Sequence, residues 1–232
     1  MPCPYGFTKD FMTNLPASVS SSDGRYVVVN STVDMTHALE NIQRVSFPEL
    51  AEADIMSAHH FASHIRIFPD GQHVVLDTLE NKVAASSSDI MLELDFHHYQ
   101  HKFFPAVGEG FFTTHDSTAH WLYGADIGVL PEYRSQGLSS LLYKARQDLV
   151  VRLGLHGHYA GAMPKGYGAV KLEMPIEEYL HQVIRGERFD PVLSIQLKRG
   201  YRIHGVIPDY LEDASCANYG ILIVWRNKAV MW

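Results

Sequence analysis

The sequence has few cysteines, no long apolar run and fewer basic than acidic residues. Cys3 and Cys216 are its only cysteines, which excludes a disulfide framework and favours a reduced, intracellular setting. No apolar run approaches the roughly 18 residues that a membrane-spanning helix needs. The N-terminal region carries Lys9 and Asp10 and has no continuous apolar stretch, so no signal peptide is predicted. We therefore expect a cytoplasmic protein with no membrane partner.

The charge balance limits the classes of ligand. The chain has 19 Lys and Arg against 26 Asp and Glu, which gives a net charge of −7. This balance argues against a general surface for nucleic acid or anionic lipid, so any anionic ligand must be held by a local site. Apolar residues make up 46% of the chain, which is enough for a core and excludes disorder over most of the length.

Turn signals and apolar periodicity predict a mixed α/β fold. Residues 1–25 combine Pro, Gly and Ser with scattered aromatics, which predicts an N-terminal arm. Residues 26–232 then form one domain with insertions near 95–118 and 164–190. Strands are predicted at 26–30, 73–79, 84–94, 121–130, 159–163, 201–207 and 219–225. Helices are predicted within 34–64, divided by Pro48, and at 138–153, 176–186 and 190–200.

The segment 129–139 (VLPEYRSQGLS) carries the clearest chemical signal. A strand ends at Pro131, a short loop holds Arg134 and Gly137, and an amphipathic helix begins at Leu138. The first turn of a helix leaves backbone N–H groups unpaired at a positive end. A glycine there allows a pyrophosphate to approach the backbone, and an arginine matches phosphate geometry. The spacing alone is equally compatible with an anion site and with an ordinary connection that carries a solvated arginine.

The longer segment VLPEYRSQGLSSLLYKARQDL resembles the acetyl-CoA signature of the Gcn5-related N-acetyltransferase (GNAT) superfamily, Arg/Gln-x-x-Gly-x-Gly/Ala. Arg134 and Gly137 match it, and Ser139 stands where Gly or Ala is usual. LSIQLKRGYRIHGVIPDYL is similar to the later helix and strand of that superfamily. The chain resembles more closely an uncharacterised GNAT subgroup whose members are sometimes fused to a carbon–nitrogen hydrolase domain. The segments that carry this resemblance are FASHIRIFPDGQHV, FFTTHDSTAHWLYGADIGVLPEYR, MPIEEYLHQVIRGERFDPVLSIQL and DYLEDASCANYGILIVWRN.

The resemblance implies a GNAT-type α/β fold, with a mixed, mostly antiparallel central sheet flanked by helices. It also implies an N-acetyltransferase that uses acetyl-CoA as its cosubstrate. The backbone amides of the motif would hold the pyrophosphate, and the pantetheine chain would pair with the strand before it. The residues expected to bind acetyl-CoA are Gly128, Val129, Leu130, Arg134, Ser135, Gln136, Gly137, Leu138 and Ser139.

The same resemblance raises a question about proton transfer. Many members use a tyrosine as general acid, five residues before the aromatic of a Gly-aromatic pair, and that position is Gln196 here. Glutamine has no ionisable proton to give, so the usual acid is missing or has moved. For the general base we expect Asp126 first and His120 second. The alternative for Asp126 is a structural carboxylate that caps a turn or pairs with an arginine.

The 14 histidines do not by themselves predict a metal centre. His60 and His64 share a helix face, but Phe61 stands where a zinc protease needs its glutamate, so we expect no metal. The sequence favours acetyl transfer to a small primary amine. A non-catalytic acyl-CoA-binding module and an acetyltransferase acting on protein N-termini or lysines remain alternatives, and a homodimer is one candidate for the oligomeric state.

Overall fold

A computed structural model describes residues 18–230. The strands are β1 Val19–Ser20, β2 Tyr26–Asn30, β3 Gln72–Asp77, β4 Lys82–Met91, β5 Trp121–Val129, β6 Gly157–Ala162, β7 Arg202–Ile207 and β8 Gly220–Arg226. The helices are α1 Thr36–Ser46, α2 Ala58–Ile67, α3 Phe103–Ala106, α4 Leu138–Arg152, α5 Ile176–Arg185 and α6 Leu193–Lys198. Residues 1–17 of the expected arm lie outside the described residues, and Val19–Ser20 at its end pairs with β2.

The eight strands of the described chain form one sheet in the order β1-β2-β3-β4-β5-β6-β8-β7. All neighbours are antiparallel except β5 and β6, which are parallel. A parallel pair needs a crossover connection, and α4 supplies it. The predicted fold class, a mostly antiparallel sheet flanked by helices, is confirmed.

The predicted periodicity of α4 corresponds to its buried face. Leu138, Leu142, Ala145 and Leu149 are all buried, and they recur at the spacing of one face of a helix. At its far end the helix stops before Gly154, which has a φ of 67°. The helix therefore lies across the sheet with a fixed N-terminus, which places the motif loop.

The segment between β4 and β5 has no strand and only the short α3 in the described chain. It is nevertheless packed, since Val107 and Phe112 are fully buried. His64 stacks on Phe112 at 3.5 Å between ring centroids, and its Nε2 donates to Gly110 O at 2.6 Å. Burial lowers the pKa of His64 to about 3, so this histidine is a neutral packing group that holds the segment in place.

The sheet opens between β5 and β6. The two strands pair only from Trp121↔Gly157 to Tyr123↔Tyr159, whereas β4 pairs with β5 as far as Val129. Leu130 N donates to Ala84 O at 3.0 Å. Because bonding direction alternates along an antiparallel strand, the N–H and C=O groups of Ile127 and Val129 face the opened side. The fold therefore presents an unpaired strand edge that leads to the motif loop.

Candidate active site

The motif loop adopts a backbone that its sequence requires. After β5 the chain makes a 3-10 turn over Pro131–Tyr133, and α4 begins directly after Gly137. Gly137 has a φ of 85° and Ser135 a φ of 62°, both in the left-handed region that favours glycine. A Cβ placed on Gly137 would meet no atom within 4 Å. Glycine is therefore required here by the backbone angle, and the space beside it is open to a ligand.

The N-terminus of α4 has free donors. Ser140 N donates to Gly137 O at 2.9 Å, but within the described chain the N–H groups of residues 136–139 donate to no protein acceptor. These are the unpaired groups of the first helical turn, at the positive end of a 15-residue helix. The loop can therefore hold an anion such as a pyrophosphate.

Two side chains of the loop fix its position instead of facing outward. Leu138 is buried in the core under α4. Gln136 Oε1 accepts a hydrogen bond from the Tyr26 hydroxyl at 2.5 Å, and its Nε2 donates to Glu132 O at 2.9 Å. For Gln136 and Leu138 the groups left for a ligand are the backbone N–H groups.

Arginines lie on both sides of this helix end. Arg134 donates to Val129 O at 3.2 Å and to Val45 O at 3.3 Å, so it joins the end of β5 to α1. Arg199, which follows α6, donates to Ser140 Oγ. Sequence reasoning missed Arg199, because 59 residues separate it from Ser140 and no local spacing signals the contact.

Gly128 has a packing role that the sequence did not reveal. A Cβ placed on it would lie 2.6 Å from Ile42 Cγ2 and 2.7 Å from Ser46 Oγ, both on α1. The glycine therefore lets α1 pack directly on the sheet. The backbone groups of Gly128 and Leu130 face β4, so of the three predicted strand residues only Val129 presents its backbone to the opened edge.

Asp126 points to the same face of β5 as Gly128, towards α1, because the two are two residues apart. It is 5% exposed, and its Oδ2 has no hydrogen-bond partner in the described chain. Burial raises the pKa of Asp126 to about 7, although the Arg146 cation and the Ile127 N–H act in the opposite direction. Arg146 donates to the backbone carbonyl of Asp126. The carboxyl group therefore has the pKa of a general base that works near neutral pH.

His120 lies at the opposite end of β5. It precedes the strand, interacts with Glu93 Oε2 at 3.2 Å through Nδ1, and stacks on His156 at 5.0 Å. Six residues of extended strand separate it from Asp126, a distance of about 20 Å. The structure does not bring the two base candidates together.

A buried polar network lies beneath α4, beside the opening of the sheet. Arg146 Nε is 2.9 Å from Asp89 Oδ1, which also accepts from His158 Nε2 at 3.0 Å. Burial and the nearby Arg146 cation lower the pKa of His158, against Asp89, so its Nδ1 is an acceptor and the Tyr201 hydroxyl donates to it at 3.0 Å. None of these contacts was predicted, since their partners lie far apart in sequence.

Gln196 lies beside the same network. It is 5% exposed, and its Oε1 has no hydrogen-bond partner within residues 18–230. It acts on Tyr143 of α4, whose pKa is raised by burial and lowered in part by Arg146 and by Gln196. The position that many GNAT enzymes give to a tyrosine is therefore occupied here by an amide in contact with another tyrosine.

Two cavities lie on the α1 side of the sheet. One has a volume of about 380 Å³ and the other about 470 Å³, and they share Glu212 and Asn218. Tyr210 borders the second cavity and packs in one cluster with Ala125, the neighbour of Asp126. The charged residues that line the two cavities are Glu49, Asp54, Lys102, Lys171, Asp209, Glu212 and Asp213.

No family model matches the chain, but two curated proteins of Bacillus subtilis (strain 168) are similar to it. The probable hydrolase YhcX is 31% identical over 188 residues, which cover 81% of this chain and 36% of that protein. The uncharacterized N-acetyltransferase YkwB is 29% identical over 210 residues, which cover 88% of this chain and 92% of that protein. The chain thus spans little more than a third of YhcX and most of YkwB.

Among solved structures, the GNAT-like decarboxylase GphF in complex with isobutyryl-CoA has the same fold. It superposes with a TM-score of 0.72 at 19% identity, over 86% of this chain and 98% of that one. No helix within residues 18–230 is long and apolar enough to cross a membrane. The chain therefore has the GNAT fold, with the signature on the loop between β5 and α4 and an opened, mostly antiparallel sheet, and it is similar in sequence to a curated N-acetyltransferase.

Proposed function

We propose that the chain transfers an acetyl group from acetyl-CoA to a small primary amine. The observation that carries this proposal is one continuous path. Free N–H groups at residues 136–139 lead to the edge of Ile127 and Val129, which β6 does not cover, and that edge ends beside the buried carboxyl of Asp126, whose Oδ2 has no hydrogen-bond partner in the described chain. An anion site, a strand edge and a base in this order match the phosphate, amide and thioester portions of an acyl-CoA.

The acyl-CoA fits the residues present on this path. The pyrophosphate would accept hydrogen bonds from the backbone of Gln136, Gly137, Leu138 and Ser139, with Arg134 and Arg199 as nearby cations. The amides of the pantetheine chain would pair with the backbone of Ile127 and Val129 as an added strand does. The isobutyryl-CoA bound to GphF supports an acyl-CoA as ligand of this fold.

Asp126 has the features needed to take a proton from the attacking amine. The amine nitrogen must be neutral to attack the thioester carbonyl, and the C–N bond forms as the carbonyl becomes a tetrahedral oxyanion. A carboxyl with a pKa of about 7 is half ionised near neutral pH and can accept the proton from nitrogen. Collapse of the intermediate breaks the C–S bond and releases CoA and the acetylated amine.

The cavities on the α1 side favour a cationic acceptor. Their charged lining contains five carboxylates and two lysines, and Lys165 pairs with Asp213 at 2.6 Å. A surplus of negative charge attracts an ammonium and disfavours an acidic acceptor. The excess of carboxylates over lysines in the cavity lining supports a small amine with one or more positive charges as the acceptor.

The direct test measures release of the CoA thiol from acetyl-CoA in the presence of defined acceptors. Spermidine and tyramine represent small amines, and a tetrapeptide with a free N-terminus and a lysine represents protein acceptors. We expect turnover with a small amine. Turnover with the peptide alone would instead support a protein acetyltransferase, and tight binding of acetyl-CoA without turnover would support a non-catalytic binding module.

A further inference from the structure

We propose that the Tyr143 hydroxyl is the general acid that protonates the departing CoA sulfur, in place of the tyrosine that Gln196 replaces. This inference rests on the proposed function and adds a catalytic residue to it. It is carried by the position of Tyr143 in the fold and by the partners of the neighbouring tyrosines.

Tyr143 lies where the sheet opens. It packs in one cluster with Ala160 and Ala162 of β6 and with Ile127 of β5. These residues lie beyond Tyr123↔Tyr159, the last pair that joins the two strands. This cluster joins the two strands beyond that pair and so lines the gap between them, where the thioester end of a pantetheine chain on the β5 edge would arrive.

The hydroxyl groups of the other buried tyrosines of this cluster already donate hydrogen bonds inside the protein. Tyr201 donates to His158 Nδ1 at 3.0 Å, Tyr179 donates to Asp190 Oδ2 at 2.7 Å, and Tyr167 donates to Met174 O at 3.3 Å. Tyr143 donates to no protein acceptor in the described part of the chain. Among these four, only Tyr143 can give its proton to a ligand without breaking a hydrogen bond inside the protein.

Gln196 is oriented to assist this transfer. Its Oε1 has no partner, and Gln196 lowers the pKa of Tyr143, as an Nε2–H group directed at the phenol oxygen does. A donor in this position leaves the Tyr143 proton free and stabilises the tyrosinate that forms after the transfer. The Arg146 guanidinium, 5.9 Å from the centre of the Tyr143 ring, stabilises the same anion. Gln196 is therefore a positioning residue, and Tyr143 is the catalytic one.

Each proton that moves in the proposed reaction has a donor and an acceptor. As the C–S bond of the tetrahedral intermediate breaks, its electron pair passes to sulfur and the Tyr143 proton joins it. Asp126 holds the proton taken from the amine nitrogen. Asp126 then releases its proton to solvent and the tyrosinate takes one up, which restores both groups, and the products are the free thiol of CoA and the acetylated amine.

The test begins with binding and does not depend on turnover. Calorimetry compares CoA with desulfo-CoA, which lacks the sulfur atom, on the wild-type chain and on Tyr143→Phe. We expect the wild type to bind CoA about threefold to tenfold more tightly than desulfo-CoA, since one hydrogen bond is lost, and Tyr143→Phe to bind both equally. Tyr201→Phe is the matched control, because its ring lies 5.6 Å from Tyr143 and its proton is already used; it should keep the preference.

Kinetics provide a readout that a purely structural role would not produce. We expect Tyr143→Phe to lower kcat about 10²-fold, at the lower end for loss of a general acid, with the KM for acetyl-CoA retained. Tyr143→Phe/Gln196→Tyr should regain at least about tenfold, because it restores an acid at the usual GNAT position.

The outcomes separate the two proposals. The Tyr143 proposal is overturned if the wild type does not distinguish CoA from desulfo-CoA, if Tyr143→Phe keeps the preference, or if Tyr201→Phe removes it. CoA binding with the expected preference but no turnover with any amine would overturn the acceptor proposal and leave the contact with sulfur established. A chain that binds no CoA would overturn both.

Discussion

Arg146 and Asp89 form a fully buried ion pair at the point where the sheet opens. Arg146 Nε is 2.9 Å from Asp89 Oδ1, with 3% and 0% of the two side chains exposed. Arg146 also donates to the carbonyls of Ser88 and Asp126, beside the register shift between Ser88 and Asp89. The Arg146 guanidinium thus donates hydrogen bonds to two carbonyls where the pairing of β4 with β5 is irregular. It also neutralises the Asp89 carboxylate, which accepts a hydrogen bond from His158.

Removal of Arg146 should strongly destabilise the fold. Arg146→Leu leaves the Asp89 carboxylate buried without its cation, and loss of one partner of such a pair costs about 3–5 kcal/mol of unfolding free energy. Urea unfolding measures the loss. Lys144→Ala is the matched control on the same helix, since its exposed pair with Asp148 contributes only about 0.3–0.5 kcal/mol. Equal losses in the two variants would contradict the role assigned to Arg146.

Gly137 should matter for CoA binding as well as for stability. Gly137→Ala forces a side chain into a φ of 85° at the proposed pyrophosphate site, and we expect CoA affinity to fall at least about tenfold, or 1.4 kcal/mol. Gly154→Ala is the control, because Gly154 has a φ of 67° and equally open space at the other end of α4. Both variants should lose similar stability, and only Gly137→Ala should lose affinity in calorimetry.

Arg134→Ala should raise the KM for acetyl-CoA and leave the KM for the amine nearly unchanged. The substitution removes a cation near the helix N-terminus and frees the carbonyls of Val129 and Val45, and hydrogen bonds to charged groups contribute about 1.5–3 kcal/mol. Arg152→Ala, at the other end of α4 with an exposed pair to Asp70, serves as control. An effect on the amine alone would place Arg134 at the acceptor end.

Asp126→Asn should lower turnover without weakening CoA binding. Since burial raises the pKa of Asp126 to about 7, kcat/KM of the wild type should rise with pH through that value as the base ionises. The variant should lack this limb of the profile. Steady-state turnover across pH measures it, with circular dichroism as the check on folding. A folded, fully active variant would make Asp126 structural.

The same carboxyl should make stability depend on pH. Below the ordinary pKa of 3.8 the group is protonated in both states, and between 3.8 and about 7 the unfolded chain releases the proton more readily than the folded one. The wild type therefore loses stability as pH rises through this window. The asparagine side chain does not titrate in this range. The Tm of Asp126→Asn minus the Tm of the wild type should therefore increase between about pH 4.5 and about pH 8. A constant difference would contradict the burial of an unpaired carboxyl.

Local patterns in the sequence predicted most elements of the sheet and its helices. The predicted strand at 26–30 and helix at 138–153 correspond to Tyr26–Asn30 and Leu138–Arg152, because β-branched runs and helical spacing report local geometry. The helix predicted at 190–200 is shorter, Leu193–Lys198. The strand predicted at 84–94 begins earlier, at Lys82, because pairing with Asp77 extends it.

The sequence by itself determined the geometry of the proposed anion site: Gly137 and the start of α4 lie within a few residues, so adjacent backbone angles and unpaired N–H groups form it. The tertiary structure decided the rest. Asp126 is buried with its Oδ2 unpaired in the described chain, and His120 lies at the far end of β5. Asp89 was joined to Arg146 and His158 across 57 and 69 residues. Such contacts depend on the order of the strands and on the face of the sheet to which each side chain points. The spacing of residues along the sequence does not show either of these.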